Sequence, residues 1–148
     1  MIYLGFCIII LTTYIGYCFS KNLAKRKKFF NDFYNFNQKI KREVGFSKNT
    51  LLSILDEENE FVLLLKKVVF ESEIERPKYL EKEDFELFIN YGKFLGTSDS
   101  DSQISYFNSL NDGIKKLLEE AKQKEEKLRP LYLKLGFFIG LALLIILL

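Results

Sequence analysis

Both ends of the chain lack charge. Residues 1–19 (MIYLGFCIIILTTYIGYCF) and 135–148 (LGFFIGLALLIILL) contain no Asp, Glu, Lys or Arg, and Leu131 to Leu133 extend the second run inward past Lys134. A helix needs about 20 mostly apolar residues to cross a bilayer, with about 17 as a lower bound. Both ends meet that requirement, the second once the Lys134 ammonium snorkels to the interface. The soluble alternatives are a cleaved leader and a buried core helix. A leader carries a basic n-region and a small-x-small cleavage site, and the first run has neither. The expected organisation is a transmembrane helix over residues 1–20, a helical domain over 21–129 and a second transmembrane helix over 130–148.

Basic residues set the orientation. All 22 Lys and Arg residues lie between Lys21 and Lys134. Lys21, Lys25, Arg26, Lys27 and Lys28 follow the first span, and Lys122, Lys124, Lys127, Arg129 and Lys134 precede or enter the second. Basic residues close to a membrane favour its cytoplasmic face, and both flanks agree. The domain over 21–129 is therefore expected in the cytoplasm, with the N-terminus outside. Along that domain the charge is uneven. Residues 21–48 carry nine basic and two acidic side chains, residues 56–86 five and eleven, and residues 87–129 seven of each. The cluster Lys25, Arg26, Lys27 and Lys28 adjoins a membrane anchor, so anionic lipid headgroups explain it better than nucleic acid does.

The chemical repertoire is short. There is no histidine, which removes the commonest general base and a common metal ligand. Cys7 and Cys18 both fall in the first span; eleven residues of helix separate them by about 16 Å, too far for a disulfide within one chain. No Gly-rich phosphate loop is present. The expectation is a protein without enzymatic activity, cofactor or metal.

Helical periodicity dominates the domain. Phe29, Phe33, Phe36, Ile40 and Val44 step by four, three, four and four, one face of a helix that continues out of the first span and stops at Gly45. Asn49 or Thr50 can cap a short helix through Leu51, Leu52 and Leu55. Phe61, Leu64, Leu65 and Val68 mark a third, and Pro77 a loop. Phe85, Phe88 and Leu95 mark a fourth over 82–95. Ile104, Phe107, Ile114, Leu117, Leu118, Ala121 and Leu128 give a fifth over 99–129. Pro130 is expected to bend or break its junction with the second span. The fold class is all-α, an antiparallel helix bundle between two membrane helices. Small residues at spacing four, Thr12, Gly16 and Ser20 in the first span and Gly136 and Gly140 in the second, suit close packing of the spans on each other or on neighbouring copies.

The densest polar cluster, LGTSDSDSQ at residues 95–103, joins the fourth helix to the fifth. Gly96 can take the left-handed conformation that ends a helix, Ser98 is a good N-cap, and Asp101 imitates the acid of a capping box. Asp99 and Asp101 place negative charge where the helix dipole favours it. A calcium loop starting at Asp99 would need Gly where Ile104 stands and Glu where Leu110 stands, which rejects it. The residues themselves read as turn and cap.

The stretch DFELFINYGKFLGTSDSDSQ, residues 84–103, resembles the signature of the stage III sporulation protein AB family. In that family an apolar helix leads into a Gly, a Leu-Gly-x-Ser-Asp turn and then a Gln; Gly92, Leu95, Gly96, Ser98, Asp99 and Gln103 occupy those places. Glu43, Val44 and Phe46 resemble its Glu-Ile-x-aromatic motif, whereas the Thr-Pro-Leu that often follows reads Asn49-Thr50-Leu51 without the proline. The resemblance implies a non-enzymatic membrane component of the sporulation channel between mother cell and forespore. It further implies a mother-cell cytoplasmic domain similar to the platform proteins of type II secretion and type IV pilus machines, which couple a cytoplasmic ATPase to a membrane assembly. The implied partners are other channel components including that ATPase, membrane lipids and further copies of the chain, with no nucleic acid; the implied location is the outer forespore membrane. A small membrane-disrupting or pore protein is the competing reading. It is disfavoured because neither span carries an ionisable stripe.

Overall fold

The computed structural model describes residues 2–43, 59–70, 74–95 and 100–147, and every regular element among them is a helix. Helix α1 covers Ile2–Glu43, α2 Glu60–Phe70, α3 Lys82–Phe94 and α4 Ser100–Leu147. The fold is all-α, and among the described helices the two longest, each with a long apolar segment, stand at the ends. The helix expected near Leu51–Leu55, the stop at Gly45 and the cap at Ser98 lie outside the described residues.

One expectation about the junctions is corrected. Helix α4 does not end or break at Pro130 but runs through it. Proline removes the donor to one carbonyl, at a cost of about 3 kcal/mol in a helix interior. Contacts with α1 hold α4 on both sides of that point, through Glu125 before it and Tyr132 after it. The pyrrolidine itself is exposed, so it disturbs no packing.

The chain divides into two compact units, Lys28–Leu118 and the pair Met1–Lys27 with Glu119–Leu148. In the first unit the predicted α1 face is buried at Phe29, Phe33, Phe36 and Ile40, and Phe30 joins it. Phe61, Val62, Leu65 and Val68 of α2, Phe88 and Tyr91 of α3, and Phe107, Ile114 and Leu118 of α4 complete the core. Phe33 lies at its centre, 4.8 Å from the Tyr91 ring, 5.4 Å from Phe61 and 5.9 Å from Phe88 between centroids. Offset and edge-on aromatic pairs of this kind add about 0.5–1.5 kcal/mol each beyond area burial.

The short helices are fixed at their starts. At α2 the Asn59 side chain accepts from the Phe61 amide at 3.1 Å. Before α3 the Leu80 amide donates to the Pro77 carbonyl at 3.0 Å, and the Arg76 guanidinium donates to the Leu80 carbonyl. The Glu81 amide then donates to the Asp84 carboxylate at 3.2 Å, the returning half of a capping box.

In the second unit α1 and α4 run antiparallel. Contacts pair Gly5 with Leu144, Gly16 with Gly136, Phe19 with Tyr132 and Lys27 with Glu125, advancing along one helix as they retreat along the other.

Candidate functional site

The motif of residues 84–103 is built on α3, the turn after it and the start of α4. Apolar spacing sends Phe88, Tyr91, Gly92 and Leu95 to one buried face of α3, while Glu83, Glu86 and Lys93 face out. At Gly92 the reason for glycine is steric. A Cβ there would lie 2.4 Å from Val68 Cγ1 and 3.2 Å from Leu65 Cδ1, so the missing side chain sets how closely α3 approaches α2. Leu95 is 5 % exposed, and its amide still donates to the Tyr91 carbonyl at 3.2 Å. Gly96, Ser98 and Asp99 lie outside the described residues. Gln103 sits in the first turn of α4. Of the six motif residues, Gly92 and Leu95 are thus placed in the core.

Beside Gly92 lies a polar node that the sequence reading missed. Asn37, fully buried, donates from Nδ2 to the Phe107 carbonyl at 3.2 Å and accepts the Tyr91 hydroxyl on Oδ1 at 3.2 Å. Burial pushes the Tyr91 phenol well above its ordinary pKa, so it remains a donor. One side chain therefore ties α1, α3 and α4 together. The next residue of α1, Gln38, donates to Asn111 Oδ1 of α4 at 2.7 Å, one turn beyond Phe107. The available signal was a polar residue on an apolar stripe, between Phe36 and Ile40. A buried amide at such a position fixes register, at some cost in stability.

Four of the five small span residues, Thr12, Gly16, Gly136 and Gly140, come together within one chain. A Cβ on Gly136 would stand 2.7 Å from the Thr12 carbonyl oxygen and 3.2 Å from Thr13 Cα. On Gly16 it would stand 2.4 Å from the Tyr132 carbonyl oxygen, and on Gly140 2.8 Å from Ile9 Cα. Backbone meets backbone at each point, the contact that small residues at spacing four permit. The Thr12 hydroxyl is satisfied on its own helix by the carbonyls of Ile8 and Ile9, at 3.0 and 3.1 Å. Ser20 is also buried. Bulky side chains, among them Phe6, Ile10, Tyr14, Phe138 and Ile145, point outward instead.

The basic cluster does not present one surface. Lys25 and Lys28 are exposed, but Arg26 is only 5 % exposed, on the inward face of α1. Lys27 turns to α4 and meets the buried Glu125 carboxylate at 2.5 Å; Arg129 reaches the same carboxylate at 3.0 Å. Hydrogen bonding from Lys27 holds the Glu125 carboxyl below its ordinary pKa against the opposing effect of burial, with the Lys27 charge and Arg129 adding to the lowering. Helical position forces the split, since four consecutive residues cover more than a full turn. Lys28 belongs to the other unit and stands 3.8 Å from Glu60, both groups exposed.

Both end helices contain windows long and apolar enough to cross a membrane, with only 11 % of each window buried. A core helix of a soluble protein would be mostly covered, so these are membrane-associated helices. Residues 66–148 match the family model for stage III sporulation protein AB. The chain belongs to the stage III sporulation protein AB family. The match runs from the middle of α2 to the end of α4 and contains the whole motif of residues 84–103. Searches of curated proteins and of solved structures gave no match. Among the described residues, no three His, Cys, Asp or Glu side chains are grouped to hold a metal.

Proposed function

We propose that this member of the stage III sporulation protein AB family is a non-enzymatic membrane platform of the mother cell–forespore channel. Residues 1–20 and 130–148 cross the outer forespore membrane, and residues 21–129 face the mother-cell cytoplasm. There the helical domain couples a cytoplasmic ATPase to the membrane complex. The observation that carries the reading is the family match on a chain whose two apolar helices pair with each other. Closely seated glycines leave no water path between the two helices, which favours an anchor over a pore. Asp99 and Gln103 supply polar contacts to the partner, while Gly92 and Leu95 pack α3 into the core.

Full-length protein isolated from sporulating cells should carry an ATPase with it, crosslinked to residues 28–118. Failure to recover any ATPase under conditions that retain other channel components would refute the coupling role. Asp99→Asn should leave the melting curve unchanged and lower sporulation; normal sporulation would remove Asp99 from the contact.

A further inference from the structure

Antiparallel pairing of the spans does more than anchor the chain. The contacts of Gly16 with Tyr132, Phe19 with Tyr132 and Lys27 with Glu125 fix which residues of α1 and α4 share a level. With that register Lys21 falls beside Arg129, and Lys25 beside the segment from Lys124 to Lys127. Residues 20–27 and 122–134 together contain nine basic and two acidic side chains. One of the two acids, Glu125, is buried and already engaged by Lys27 and Arg129. Lys21, Lys122, Lys127, Arg129 and Lys134 are exposed. The outward charge at this level is therefore overwhelmingly positive, and it comes from both helices.

We infer that this collar is a binding site for the phosphodiester headgroups of anionic phospholipids, formed only when the two helices are paired. Three features support it. The collar adjoins both uncharged runs, residues 1–20 and 135–148, so headgroups are the phosphates nearest to hand. The only buried acid in it is turned inward, where it assembles the collar rather than neutralising it. The Lys134 stem lies among apolar residues one to two turns deeper than Arg129, which suits an ammonium reaching up to a phosphate. Cations near a membrane surface attract anionic lipid through just such short-range, salt-sensitive interactions. The inference rests on the membrane reading of α1 and α4.

The test uses the full chain, reconstituted in vesicles of phosphatidylcholine alone and of phosphatidylcholine with phosphatidylglycerol, and reads lipid association from spin-labelled lipids. Incorporation into pure phosphatidylcholine checks the spans independently; failure there removes the membrane reading itself. For the collar, the expected result is a preference for phosphatidylglycerol that weakens in 0.5 M salt. Lys21→Gln with Lys127→Gln should reduce that preference, by up to about fivefold for each cation removed. Lys82→Gln with Lys115→Gln, in the other unit, should not change it. Inorganic phosphate at 10 mM should not compete. Equal association of the two lipids, or a preference that survives the Lys21 and Lys127 changes, overturns the proposal. Competition by phosphate also overturns it, because the site would then be one for a free anion.

Discussion

At the scale of single residues, Gly92 shows why a motif position can be structural. Its neighbours are the Val68 and Leu65 side chains of α2, so even a methyl group has nowhere to go without a shift. Gly92→Ala should cost about 1–3 kcal/mol through overpacking. Val68→Ala in the same chain should recover part of that loss, since it removes the atom met first. Melting of the purified full chain in detergent checks both, and additive losses would mean that the two positions are not in contact. The sequence indicated Gly92 as a motif residue but gave no reason for it, because the reason sits 24 positions away on another helix. Asn37 stands out in the sequence only as a polar residue on an apolar stripe, and its partners stay hidden for a similar reason. Its carbonyl and phenol partners come from Phe107 and Tyr91, and no local pattern links the three.

At the scale of elements, periodicity carried most of the information. The stripe from Phe29 to Ile40, the stripe from Phe61 to Val68 and the helix over 82–95 reappear as buried faces of α1, α2 and α3, because each follows from local spacing alone. The break allowed for at Pro130 does not occur, because the neighbouring helix offsets the local penalty. The α1–α4 pairing can be probed through its glycines. Gly16→Leu should abolish most crosslinking by a bifunctional thiol reagent between Phe19→Cys and Tyr132→Cys, positions whose native side chains touch, while membrane insertion persists. Undiminished crosslinking would show that the glycine contact does not hold the helices. The ion cluster at Glu125 adds a pH dependence. Its folded pKa is lowered from 4.5, so its contribution is complete above that value and is lost as pH falls through the lowered one. Pairing read by the distance between spin labels on the same two positions, a probe that needs no thiolate, should weaken only in that acidic window. The Glu125→Gln chain should lack this acid limb altogether.

For the molecule as a whole, the topology is open to a direct measurement. Cysteines at Glu83 and Lys115, both exposed, in a chain with Cys7 and Cys18 replaced by serine, should react with a membrane-impermeant thiol reagent only after lysis. Labelling of intact cells would reverse the orientation and, with it, the side on which an ATPase is sought. The expectation rests on charge asymmetry, since every basic residue falls between the two apolar end segments or at their edge. The glycine seam has a separate bearing on how the protein is made. Because Gly16, Gly136 and Gly140 find their counterparts within the same polypeptide, closing the seam is a first-order event, independent of copy number. The chain can complete its hairpin while expression is still low. A fall in gene dosage should then leave the paired helices of each molecule intact and lower only the number of molecules.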